Sequence, residues 1–100
     1  MIKNIYYIDF EMSAFIKQAG APLSAIGGMA GALVRAESQL EAEASLTRWV
    51  NLHLAETVVI IESYEVDDDL SASDYLSNDS FDSFQTYGVG ITEIYSWDSE

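Results

Sequence analysis

Side-chain chemistry needs a nucleophile, a base or a set of metal ligands, and this chain has few candidates for any of them. It contains no cysteine and one histidine, His53, so a hydroxyl working with that imidazole is the one nucleophile–base couple on offer. His53 falls near the end of an expected helix, where an imidazole simply favours the helix dipole. Gly27, Gly28 and Gly31 lack the following lysine and the strand-to-helix order of a phosphate loop. Asp67, Asp69, Ser71 and Ser73 alternate as calcium-loop ligands do. Ala72, however, stands where such a loop needs glycine, and Asn78 where it needs a bidentate glutamate. Paired carboxylates do acid–base work where a pocket raises the pKa of one member, and the acids here keep polar, solvated company. We therefore expect no catalytic residue, no cofactor and no metal, and read the chain as a non-enzyme.

Charge is the stronger signal. Seventeen Asp and Glu face four Lys and Arg, for a formal net charge of −13. All the basic residues (Lys3, Lys17, Arg35, Arg48) lie in the first half, whereas twelve of the seventeen acids fall from Glu56 onward. Between positions 62 and 82 stand Glu62, Glu65, Asp67, Asp68, Asp69, Asp74, Asp79 and Asp82 with no counter-charge among them. Such a surface repels phosphate backbones and anionic lipid, which argues against direct nucleic-acid or membrane binding. Tyr75, Leu76, Phe81 and Phe84 punctuate the same stretch, giving it the means to pack against a body. The acids from Asp74 onward are spaced so that an ordered backbone sets carboxylates about 5–6 Å apart. Glu62, Glu65, Asp67, Asp68, Asp69, Asp74, Tyr75, Asp79 and Asp82 are accordingly the expected partner-binding residues.

The elements that would carry them follow from periodicity. From Ile5 to Lys17, Tyr6, Ile8, Phe10, Met12, Ala14 and Ile16 alternate with mostly charged or small residues, which predicts a half-buried strand. Ala19, Gly20, Ala21 and Pro22 signal a turn. A small-residue loop then leads to a strand over 30–36, since Gly27 and Gly28 would interrupt a helix begun at Pro22. Ser38 with Glu41 forms a capping box, and Leu40, Ala44, Leu46, Val50 and Leu54 recur at helical steps, predicting a helix over 39–54. The β-branched run Thr57, Val58, Val59, Ile60, Ile61 reads as a central strand covered on both sides. Residues 67–84 read as an acidic segment with a short helix near 71–76 capped by Ser71 or Ser73. Tyr87, Val89, Ile91, Glu93, Tyr95 and Trp97 then alternate as a last strand, bulged at a glycine.

This order predicts one α+β domain over residues 1–100: a small antiparallel sheet of three to four strands packed on one long helix in two layers. Asp9 and Glu11 interrupt any apolar leader, and the expected compartment is the cytoplasm.

In length, acidity, absence of cysteine and clustered acids over 62–82, the chain resembles phage-encoded anti-CRISPR proteins and other DNA-mimic inhibitors. The resemblance is to a class without a shared fold or motif, so it transfers no residue roles. It implies a protein that occupies the positively charged nucleic-acid-binding surface of a CRISPR effector complex or a nuclease. An immunity protein or antitoxin that neutralises a basic toxin nuclease rests on the same acidic complementarity. A halophile domain with no inhibitory role would spread its acids more evenly. Oligomeric state, monomer or homodimer, stays open at this stage.

Overall fold

A computed structural model of the chain describes residues 4–15, 25–66, 76–92 and 94–98. Their order is β1 (Asn4–Phe15), β2 (Ala25–Ala36), α1 (Gln39–His53), β3 (Ala55–Val66), α2 (Asn78–Tyr87), β4 (Val89–Ile91) and β5 (Tyr95–Asp98). Every strand pair is antiparallel. The sheet runs β3-β1-β2, and β4 and β5 lie one after the other along the far edge of β2. The expected α+β class and antiparallel sheet are thus present, four strand positions wide.

β1 sits in the middle because its alternation is the cleanest in the chain. Tyr6, Ile8, Phe10 and Met12 are buried on one face, with Ile8 and Phe10 wholly inaccessible. Their partners on β2 are small: Tyr6 lies opposite Val34, Ile8 opposite Ala32, Phe10 opposite Ala30 and Met12 opposite Gly28. Bulk on one strand and alanine or glycine on the next leave room for α1 to settle close to the sheet. The glycine- and alanine-rich run is therefore structural from Ala25, five residues before the expected start of the strand.

α1 begins where the sequence predicts. The Ser38 hydroxyl accepts from the Glu41 backbone N–H at 3.1 Å, and the helix ends at His53 with Leu54 as its cap. Its buried stripe is Ala42, Leu46 and Val50, at four-residue steps that line one face. Leu40 and Ala44, expected on that stripe, are exposed instead, Leu40 at 80%.

Three expectations need correction. Among the described residues a second helix joins the expected long one: residues 78–87, read as part of an acidic segment and the start of a strand, form α2. The Ser77 hydroxyl accepts from the Ser80 N–H, and Gly88 closes the helix at φ 80°, donating to the Phe84 carbonyl. That left-handed cap explains the glycine which periodicity had suggested as a strand bulge. Phe84 of α2, with Leu76 just before the helix, packs on Ile5 and Leu33, a second small core on the sheet face opposite α1. The fold is consequently three layers deep at that end. Arg35 lies over the Phe84 ring at 5.0 Å, a cation–π contact that helps seal the junction.

The last strand is likewise two strands. Ile91 pairs with Ala32 and Tyr95 with Met29, so one extra residue is accommodated between them. Thr92 bridges the gap, its N–H donating to the Gly31 carbonyl and its Oγ1 accepting from the Gly31 N–H. One threonine thereby stands in for two ladder positions.

Finally, among the described residues β3 is an edge strand rather than a central one, pairing only with β1. Val58 and Ile60 pack against the core under α1, but Val59 and Ile61 are more than half exposed. A continuous apolar run mimicked a strand buried on both faces. The expected turn at 19–22, Ile16 and the expected short helix near 71–76 fall outside the described residues, apart from Leu76.

Candidate functional site

The side of the sheet facing away from α1 is only partly roofed. α2 covers the Ile5–Leu33 end, and the remaining floor is built from alternate residues of β1, β2 and β3. Strand alternation places Tyr7, Asp9 and Glu11 there together. The register then sets Asp9 beside Gly31 on one flank and Glu62 on the other, and Tyr7 beside Tyr64. Asp9 and Glu62 are like charges directly across a strand pair, an arrangement that opposes folding and suits an external cation.

Tyr7 organises this floor. Its ring crosses Gly31 so closely that a Cβ there would overlap the phenol oxygen. Here glycine is required by close approach, not by backbone angle. The ring stands 5.5 Å from that of Tyr64. Burial, the hydrogen bond that the phenol donates to the Asp9 carboxylate and the charge of Asp9 push the Tyr7 pKa up to about 12. The folded state therefore holds this proton more tightly than the unfolded chain does. Its contribution to stability is present below pH 10 and is lost as pH climbs from 10 through 12. We expect the denaturant midpoint to drop across that window, and a Tyr7→Phe variant to lose that part of the drop. Phenolate absorbance should show one transition near the upper limit that the same substitution removes.

The expected partner-binding residues divide. Glu62 pairs with Asp9 and Glu65 with Tyr6, so the two point to opposite faces of β3: Glu62 joins the open floor, Glu65 the α1 side. Asp79 and Asp82 are exposed on α2, three residues apart on one flank of the helix. Since α2 lies on the floor side of the sheet, Asp9, Glu11, Glu62, Asp79 and Asp82 share one side of the molecule. Asp67, Asp68, Asp69, Asp74 and Tyr75 lie outside the described residues. Asp9 and Glu11 were missed in the sequence because they belong to the first strand, far along the chain from the acids they join in space. Their position on its outward-facing set was the available signal.

On the α1 side, the open groove between the helix and the β3 edge has a volume of about 580 Å³, with Leu40, Ala44, Leu52 and Ile60 among its lining residues. One carboxylate of that wall is held: the Ser63 hydroxyl donates to Glu43 Oε2 at 2.6 Å and accepts from Gln39 Nε2 at 2.7 Å. His53 is exposed on the last turn of α1 with its ring 4.7 Å from that of Trp49. Among the described residues no three His, Asp or Glu converge on a metal-sized site, and no helix is long and apolar enough to cross a membrane. Comparison of the chain with protein-family models, with curated proteins and with solved structures finds no match.

Proposed function

We propose that this chain is a non-enzymatic acidic inhibitor that occupies the positively charged nucleic-acid-binding surface of a basic protein, such as a CRISPR effector complex or another nuclease. The observation that supports it is the half-roofed sheet face, where Asp9, Glu11 and Glu62 stand with Tyr7, Tyr64 and Met29. Asp79 and Asp82 border that face on α2. Carboxylates interleaved with partly exposed aromatic and apolar side chains match the make-up of an interface with a desolvated centre and a charged rim. A net charge of −13 steers such a face toward a cationic groove and makes association fast and salt-sensitive. A groove whose Lys and Arg displace counterions from DNA phosphates attracts fixed carboxylates by the same Coulomb forces.

The experiment is capture of a basic partner from host lysate with elution along a salt gradient, followed by competition against duplex DNA for the captured protein. Reversing Glu11, Glu62, Asp79 and Asp82 together to lysine should weaken partner binding about a hundredfold, with each exposed contact contributing up to ~1 kcal/mol. Asp79 lies in the first turn of α2, so helicity and the melting curve are recorded on the same variant. Unchanged binding at moderate salt with an intact fold would refute the electrostatic reading.

A further inference from the structure

We propose that the outer edge of β3 is a strand-addition site, at which an extended basic segment of the partner pairs with residues 57–60 and lowers an apolar side chain into the groove beside Ile60. The charge assigned to that segment rests on the acidic-inhibitor reading; the mode of docking rests on the edge itself. β3 is twelve residues long and, among the described residues, is paired on one side only, so alternate residues turn backbone N–H and C=O groups outward.

The two ends of this edge are treated differently. Near its C-terminal end the register slips between Asp9 and Phe10, making Ile61 the extra residue, and bulges discourage pairing. There too the Gln39 side chain donates to the Ser63 carbonyl at 3.0 Å, occupying an outward acceptor. The stretch from Thr57 to Ile60 has no such guard, nor the lysine or proline that usually protects an edge. Val59 and Ile61, at 52% and 54% exposure, offer apolar partners to a neighbouring strand.

The groove beside this unguarded stretch fits the same occupant. Ile60 forms one wall and α1 the other, with apolar Leu40, Ala44 and Leu52 beside the opposite charges of Glu43 and Arg48, so the groove itself favours an apolar side chain over a charged one. Successive side chains of an added strand point to opposite faces, so every second one would project over α1 and into this groove. A volume of about 580 Å³ accommodates them within the usual range of small binding clefts. Charge decides between occupants. β3 carries Glu56, Glu62 and Glu65, all exposed, and no basic residue. A second copy of the chain would set these glutamates against their own kind, whereas a segment alternating Lys or Arg with apolar residues turns its apolar side chains into the groove and its basic ones to the opposite face, where Glu62 stands.

The probe is a short synthetic peptide in which lysine alternates with valine, titrated into the full chain while amide exchange is followed residue by residue. Exchange should slow within residues 57–60. The same peptide N-methylated at alternate residues, equal in charge but lacking those donors, should bind at least about tenfold more weakly. Leu40→Gln with Leu52→Gln, both at exposed positions and neutral in charge, should weaken the parent peptide to a similar degree. Equal binding of the methylated peptide, protection elsewhere than β3, or a peptide-free dimer that already protects β3 would each overturn the proposal. None of these outcomes touches the effect of charge reversal on the captured partner, so the two readings fail separately.

Discussion

Phe10→Ala should cost the fold about 3–5 kcal/mol, the range for removing a buried aromatic ring. Phe10 is fully buried on the central strand, with Ala30 opposite on β2 and Ile60 opposite on β3. Neither neighbouring strand can slide inward to refill the space without breaking its ladder, and Ala30 has no side chain to extend. The cavity should therefore persist, which puts the cost toward the upper end. A domain of this length has about 5–15 kcal/mol in total, and self-repulsion at −13 acts against the compact state. The measurement is a urea midpoint for both proteins at two salt concentrations. We expect the variant to be largely unfolded at low salt and partly recovered as screening rises. A midpoint within the error of the parent would show that the core under α1 is not packed as described.

Gly90→Val should detach α2 from the sheet. A Cβ at Gly90 would meet Leu76 Cδ1 at 2.6 Å, the Ser80 carbonyl oxygen at 2.8 Å and Phe84 Cβ at 2.9 Å. The leucine tip can rotate away, but the other two atoms belong to the helix backbone and its immediate branch, and move only if the helix moves. Overpacking of this kind costs about 1–3 kcal/mol and occasionally more, and a branched residue against two rigid atoms belongs at the top of that range. Because α2 covers only one end of one sheet face, the loss should be regional. Amides of residues 81–88 should exchange rapidly while those of β1 and β2 stay protected, and far-ultraviolet dichroism should fall by the share of one short helix. Retained protection across α2 would refute the close contact. The variant also bears on function, since Asp79 and Asp82 would leave their place beside the open floor.

Parts of this architecture were legible before any coordinates. The alternation of Tyr6, Ile8, Phe10 and Met12 specifies β1 and its buried face, and Ser38 announces α1. What escaped has physical causes. α2 is written in asparagine, aspartate and serine, poor helix formers, and owes its existence to the Ser77 and Gly88 caps and to Phe84 anchoring on the sheet. On β2, Gly28, Ala30 and Ala32 are small where they face Met12, Phe10 and Ile8 of β1, a reciprocity that single-strand propensity does not contain. β3 has the composition of a buried strand and the location of an exposed one, since Val59 and Ile61 are apolar without being covered. For the candidate site, counting acids along the chain joined Glu62 to Glu65, although three residues of extended chain separate them to opposite faces. It also passed over Asp9 and Glu11, which only the register brings beside Glu62.

The opposition of bulky and minimal side chains across β1 and β2 also constrains how this sequence can drift. Ile8 and Ala32, or Phe10 and Ala30, share one allotment of space beneath α1. Enlarging either alanine alone wedges the helix outward, and shrinking its neighbour alone hollows the interior. Substitutions at these sites are therefore expected to survive as compensating couples, making the volume sum at each couple a more durable signature of descent than the identity of either residue.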